Sequence, residues 1–174
     1  MDHSRTRELI RDVPDFPKPG IVFKDITPVL ADPVAFREVL DDLAAYVRTI
    51  EAQVVAGIES RGFIMGAPVA AACSLPFVPI RKQGKLPYAT ITEEYDLEYG
   101  TAAIEAHVDA VQPGQRVVIM DDLLATGGTA AASVRLMERL GARVCGLAFV
   151  VELGFLNGRA ALPGLNIHTL VRYD

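Results

Sequence analysis

The sequence predicts an α/β fold: one domain spanning residues 1–174, with a mainly parallel, twisted sheet flanked by helices. Three observations predict it. Short apolar runs alternate with helix-patterned stretches along the chain, and strands separated by helical crossovers build parallel sheets covered on both faces. The run Val117-Val118-Ile119-Met120 is apolar throughout, as a strand buried on both faces requires. Hydrophobic residues make up 51% of the 174 and charged residues 22%, which suits one complete core and no disordered tract.

Taken in order, residues 3–13 read as a short helix stopped by Pro14, Pro17 and Pro19, and residues 20–23 as a short strand. Asp32 caps a helix that has Pro33 at its first position. Phe36, Leu40, Leu43 and Val47 are its expected buried stripe. A strand over 53–58 leads through Glu59-Ser60-Arg61-Gly62 to a helix of small and apolar residues over 63–73. That helix suits an interface between subunits as well as it suits the core. Another strand, 77–80, ends at Arg81 and Lys82. Residues 83–100 are polar and lack an apolar period, and loops of such length are usually functional or disordered. Three readings are open for it: a mobile lid, a mere surface excursion or a two-stranded ribbon. Residues 102–108 alternate and pair at the sheet. Pro113-Gly114 turns the chain into the apolar strand, residues 128–140 form a helix with Ala130, Val134, Met137 and Gly141 on one side, and 143–151 is again a strand. One helical turn over 156–161 and a last strand over 167–171 complete the order.

The stretch with most chemical content is Met120-Asp121-Asp122-Leu123-Leu124-Ala125-Thr126-Gly127-Gly128-Thr129. Two adjacent carboxylates stand at the carboxyl end of a buried strand, where open α/β sheets bind their ligands. They repel each other and lose solvation there, so a ligand explains them better than packing does. The Thr-Gly-Gly-Thr turn can wrap backbone N–H groups around a phosphate at the start of the next helix. Carboxylates reject phosphate but accept hydrogen bonds from sugar hydroxyls, so a ribose 5-phosphate fits both halves. No Gly-x-x-x-x-Gly-Lys-[Ser/Thr] occurs, which disfavours an ordinary nucleotide kinase, and no Gly-x-Gly-x-x-Gly follows the first strand.

A net charge of −5 argues against a nucleic-acid-coating surface. His3, His107 and His168 have no ligand spacing, so no metal held by the protein alone is expected. Cys73 and Cys145 read as free buried thiols of a reduced compartment. Residues 1–12 are polar and charged, and apolar stretches break well before about 18 residues. The expectation is a cytoplasmic protein that engages neither membrane nor nucleic acid.

Together with Phe16-Pro17-Lys18-Pro19-Gly20-Ile21-Val22-Phe23-Lys24-Asp25, Glu59-Ser60-Arg61-Gly62-Phe63, Arg81-Lys82-Gln83-Gly84-Lys85-Leu86-Pro87 and Leu97-Glu98-Tyr99-Gly100, this signature resembles the phosphoribosyltransferases, in particular those that use adenine. Lys24 departs from the pattern, many members carrying Arg there; the charge is kept but the bidentate fork is lost.

The resemblance implies a type I phosphoribosyltransferase fold, with residues 1–30 contributing a hood over the base and 83–100 a flexible lid. It implies a pentosyltransferase that moves ribose 5-phosphate from phosphoribosyl diphosphate to adenine, giving AMP and diphosphate. The donor is used as its Mg2+ complex, touched through Asp121 and Asp122, and the protein is expected to be a homodimer. Asp121, Asp122, Ala125, Thr126, Gly127, Gly128 and Thr129 would hold the ribose and 5-phosphate, and Ser60, Arg61, Arg81 and Lys85 the diphosphate. Val22, Phe23, Lys24 and Leu153 would hold adenine, although from spacing alone Phe23 reads as plain core rather than as a ligand contact. Glu98 is the catalytic candidate, a carboxylate whose pKa lid closure would raise toward that of a useful base. An enzyme for another purine base and a non-catalytic sensor of phosphoribosyl diphosphate are the competing readings.

Overall fold

A computed structural model describes residues 3–96 and 101–174. Seven strands form one sheet: β3 (Val54–Ile58), β4 (Phe77–Lys82), β5 (Thr90–Asp96), β6 (Thr101–His107), β7 (Arg116–Leu124), β8 (Arg143–Leu153) and β9 (Ile167–Tyr173), in the order β5-β6-β4-β3-β7-β8-β9. From β4 to β9 every pairing is parallel, whereas β6 runs antiparallel to both β4 and β5. A separate antiparallel ribbon joins β1 (Arg11–Pro14) to β2 (Val22–Asp25).

Strand parity divides the core. Val54, Ala56, Ile58, Val117 and Ile119 face the helix α5 (Gly128–Arg139), burying Ala132, Leu136 and Met137. Val55, Val118 and Met120 point the other way, against α3 (Pro33–Thr49) and α4 (Arg61–Cys73). This is the two-residue alternation of a pleated strand covered on both sides. The glycine at 62 lets α4 approach the end of β7: a Cβ there would stand 2.5 Å from the Met120 carbonyl.

Most of the expected elements are present, with informative differences. Asp32 caps α3, accepting from the N–H groups of Val34 at 3.1 Å and Ala35 at 2.9 Å. The buried stripe of α3 includes Leu43 and Val47 as expected, but in its first half it lies one residue over, on Ala35 and Val39, so Phe36 and Leu40 are half-buried. Near the N-terminus the helix α1 covers Ser4–Leu9, and the chain then extends into β1, where pairing with β2 outweighs local helix preference. Thr27–Ala31 forms a short helix, α2, with Pro28 in its first turn; the sequence reading had no element there.

Of the segment 83–100, residues 90–96 form a strand, as the ribbon reading has it, because Thr90, Ile91, Thr92 and Tyr95 have strand-forming side chains and find a partner in β6. Residues 97–100, and with them Glu98, lie outside the described residues. α4 belongs to the core through Met65, Gly66, Val69 and Ala70, which are buried, while Ile64, Ala67 and Ala71 are exposed. Both cysteines are free and half-buried. Among the described residues no helix is long and apolar enough to cross a membrane.

Candidate active site

Two cavities open at the carboxyl edge of the parallel strands and meet at three residues. One, of about 200 Å³, is lined by Asp121, Asp122 and the loop Ala125, Thr126, Gly127, Gly128 and Thr129, with Arg61 at its side. The other, of about 230 Å³, is lined by Glu59, Ser60 and Lys82 together with Arg61, Asp121 and Asp122. A ligand laid across both would meet the shared acidic pair and arginine at its middle.

The first cavity is built from backbone. β7 runs on through the two acids to Leu124, so Asp121 and Asp122 are strand residues and not the start of the loop. Gly127 precedes α5 with φ +84°, a left-handed conformation that L side chains resist. The first turn of α5 leaves N–H groups without helical acceptors, and no side chain caps them. They and the helix dipole make a seat for an anion, with a favourable field of about 0.3–1 kcal/mol.

Asp121 and Asp122 have unequal surroundings. The Asp122 carboxylate is buried and accepts from Nε of Arg61. That partner holds the Arg61 charge: burial pulls the guanidinium down, but the bond and attraction to Asp122 outweigh it and leave its pKa raised. Asp121 has no such cation of its own. Desolvation, and then the neighbouring Asp122 charge, push its carboxyl well above the usual range. Its Oδ1 accepts from the Asp122 N–H at 2.9 Å.

Beside the second cavity, Arg81 is already engaged. Arg81 gives Nε to Glu59 Oε2 at 3.2 Å and a terminal nitrogen to the Lys85 carbonyl at 3.0 Å. Neither Arg81 nor Lys85 lines it; Lys82 does, one residue from the expected one, because alternation along β4 exposes 82 and half-buries 81. Glu59 also accepts from the Lys82 N–H at 3.0 Å, and the peptide bond between Glu59 and Ser60 is cis. Desolvation of Glu59 is outweighed by the Lys82 N–H and Arg81, so its pKa is lowered.

Of the four residues expected at the base, the structure brings one to the acids. The Arg61 guanidinium lies 5.6 Å from the Phe23 ring centroid, and Phe16 packs edge-on against the same ring at 5.3 Å. Val22 is exposed and Leu153 is buried at the end of β8. Lys24 turns away to Asp12 at 2.5 Å and lies 4.0 Å over the Tyr173 ring, whose residue pairs with Leu153 in the sheet. This pins the β1–β2 ribbon beside the ends of β8 and β9.

The arrangement offers donors for two anionic groups, one on each side of a pair of carboxylates that can accept from hydroxyls. The sequence model of the phosphoribosyl transferase domain matches residues 29–160. A relative from Brevibacillus brevis, an adenine phosphoribosyltransferase, is 53% identical over 96% of this chain and 98% of its own length. The chain belongs to the adenine phosphoribosyltransferase family. The crystal structure of the family member from Thermoanaerobacter pseudethanolicus superposes with a TM-score of 0.96 at 50% identity, covering 99% of this chain and all of that one. That from Saccharomyces cerevisiae, complexed with adenine and an imino-altritol bisphosphate, gives 0.92 at 36% identity, with 97% of each chain covered.

Several site-building residues of this phosphoribosyltransferase escaped the sequence reading. Glu105 is buried on β6 and accepts from the N–H groups of Lys85 and Leu86, each at 2.9 Å, and from Thr90 Oγ1 at 3.3 Å. It thereby anchors the segment after β4. A charge in the middle of the alternating stretch 102–108 was the available signal. Glu59 and Tyr173 carried no signal beyond their neighbours, because their roles depend on contacts distant in sequence.

Proposed function

We propose that this chain transfers ribose 5-phosphate from phosphoribosyl diphosphate to adenine, releasing AMP and diphosphate, as a cytoplasmic homodimer in purine salvage. One observation carries the reading: a backbone-lined anion seat and a polar cavity meet at the Asp121–Asp122–Arg61 cluster, so a sugar placed at the acids has its 5-phosphate on one side and its diphosphate on the other. The yeast relative's complex with adenine supports the choice of base. The exposed Ile64, Ala67 and Ala71 of α4 support the dimer.

Residues 125–129 hold the 5-phosphate through N–H groups and the threonine hydroxyls. Asp121 and Asp122 accept from the ribose hydroxyls. Ser60, Arg61 and Lys82 receive the diphosphate, and Arg81 and Lys85 join when the donor draws them from Glu59 and the loop. Phe23 offers its face to adenine, with Val22, Lys24 and Leu153 around it.

Among the described residues no cluster of three or more ligating side chains is ready to hold a metal. Hard carboxylate oxygens beside a diphosphate pocket nevertheless fit Mg2+ that arrives with its substrate. Asp121, whose carboxyl has no cation of its own, would meet the ion directly or through its waters. When bound, the ion offsets the charge on the departing diphosphate.

Leaving-group departure creates an electron-poor ribosyl carbon that water would capture, so the site must close over it. Glu98, in residues 97–100, takes or relays the proton shed by adenine. Release of diphosphate and AMP on mixing the protein with adenine, phosphoribosyl diphosphate and Mg2+ tests the function. Hypoxanthine and guanine are expected to react poorly, and equal efficiency with hypoxanthine would sink the adenine assignment. For Glu98→Gln, k_cat at saturating substrates is expected to fall about 10²–10⁴-fold; near-normal turnover removes Glu98 from the mechanism.

A further inference from the structure

Behind the anion seat lies a charged network that touches neither cavity. Glu152 on β8 stands in register between Leu124 of β7 and Arg172 of β9, with its carboxylate almost wholly buried. Arg159 forks onto it, Nε to Oε1 at 2.8 Å and a terminal nitrogen to Oε2 at 2.7 Å. Thr169 Oγ1 donates to Oε2 at 2.9 Å and Arg172 to Oε1 at 3.3 Å. The bond from Arg159 is the main reason the Glu152 carboxyl stays below its ordinary range.

Arg159 belongs to a short 3-10 turn, Gly158–Ala161. A turn of four residues has little stability of its own and takes its position from what it is tied to. The residue before the arginine is where the turn meets the anion seat. A Cβ on Gly158 would collide with the Ala125 carbonyl, and a Cβ on Gly127 would collide with the Gly158 carbonyl. Two glycines therefore bring the turn and the loop into backbone contact from both sides. A continuous path runs from buried Glu152 through Arg159 and Gly158 to Ala125 and Gly127.

We infer that Glu152 and Arg159 are positioning residues for the donor's 5-phosphate: the fork fixes the turn, and the turn fixes the N–H groups that bind. This rests on residues 125–129 being the 5-phosphate seat. Arg159 does not touch substrate. It sets where the Gly127–Gly128 backbone stands, and hydrogen-bond donors displaced by a fraction of an ångström lose much of their grip. The bidentate geometry matters as much as the charge, because it fixes orientation as well as distance.

The test is calorimetric titration of the full chain with ribose 5-phosphate and, separately, with diphosphate and Mg2+. Arg159→Ala is expected to weaken ribose 5-phosphate about tenfold or more and leave diphosphate within about twofold, since neither the turn nor the loop 125–129 lines that cavity. The KM for phosphoribosyl diphosphate should rise correspondingly, with that for adenine nearly unchanged. Arg159→Lys, which keeps the charge without the fork, should lie between wild type and Arg159→Ala. Equal weakening of both ligands marks general loosening and overturns the proposal; so does unchanged affinity for ribose 5-phosphate. A wild-type protein that binds no ribose 5-phosphate overturns the underlying reading instead. Should Arg159→Ala fail to fold, Arg159→Lys and Gly158→Ala carry the test, the latter pressing a methyl group directly on the loop. Ribose 5-phosphate affinity unchanged in both would refute the positioning role.

Discussion

The two halves of the candidate site offer an anion opposite kinds of partner. The loop proposed for the 5-phosphate offers backbone N–H groups, glycines and a helix terminus, and it has no lysine or arginine within 125–129. The half proposed for diphosphate offers side-chain cations, and two of them are already paired: Arg61 with Asp122, Arg81 with Glu59. A backbone seat is preorganised, so its ligand displaces little but water. A side-chain seat with its counter-ions in place must exchange one anion for another, which trades affinity for selectivity toward a strongly charged ligand. The sharpest break of this comparison is at Arg61, the residue common to both cavities. Arg61→Ala should lower k_cat/KM about 10²–10³-fold, the scale seen when a donor to developing charge is removed. It also leaves the buried Asp122 unpaired. Steady-state kinetics with Arg61→Lys alongside separate the parts: if charge alone matters lysine restores most of the rate, and if the fork and the Phe23 contact matter it restores little.

The next largest effect belongs to the backbone half. Gly127→Ala puts a Cβ where φ is +84° and against the Gly158 carbonyl. The conformational cost alone is about 1–2 kcal/mol, and the collision adds to it. Urea denaturation should show the loss. Donor KM should rise, because the loop cannot keep its place. The same substitution at Gly114, also at positive φ but with open space around it, should cost stability without moving KM. An equal KM effect at both positions would mean that the loop is not a built seat.

This contrast also explains which parts could be read from the sequence. The parallel sheet, its capped and apolar-periodic helices and the glycine loop are written in local patterns: Val117–Met120, Asp32 before Pro33, and Gly127-Gly128 after two acids. Backbone binding sites depend on such patterns and were legible as contiguous motifs. The diphosphate half depends on partners 22 to 61 residues apart, as Glu59 is from Arg81 and Arg61 from Asp122. No spacing rule links those pairs, so the cations were visible while their counter-ions were not, and Lys82 was passed over for its neighbours. The strand Thr90–Asp96 was only one of several open readings because its polar and charged residues outnumber its apolar ones; pairing with β6, and the clasp of Glu93 by Arg135 and Arg139, hold it instead.

Glu105 sharpens the comparison at a smaller scale, since it stabilises the cationic segment from behind. Glu105→Ala leaves the N–H groups of Lys85 and Leu86 without their acceptor. A loss of about 1–3 kcal/mol is expected in chemical denaturation, with donor KM affected more than adenine KM. The carboxyl is desolvated, but the N–H groups of residues 84–86 and the Thr90 hydroxyl outweigh this and hold its pKa below the ordinary range. Its stabilisation is therefore fully present above the unfolded-state pKa and is lost as pH falls through the folded one.

The smallest effect, and the most diagnostic in sign, is at Asp121. Its carboxyl is raised by desolvation and by Asp122, so the folded protein binds a proton more readily there than the unfolded chain does. Between the unfolded-state pKa and the raised folded one, stability must fall as pH rises, opposite to Glu105. Asp121→Asn removes that penalty. The variant should match wild type below the unfolded-state pKa of about 4 and exceed it above, with the gap opening as pH rises toward the folded-state pKa. Donor affinity should move the other way, because the amide replaces the acceptor that ribose hydroxyls and Mg2+ favour. Thermal unfolding across pH with and without phosphoribosyl diphosphate and Mg2+ reads both quantities at once. If Asp121→Asn were less stable than wild type at neutral pH without ligand, the strand end would be relying on this carboxylate for its own folding. The unpaired acid would then no longer be evidence of a place kept for a ligand.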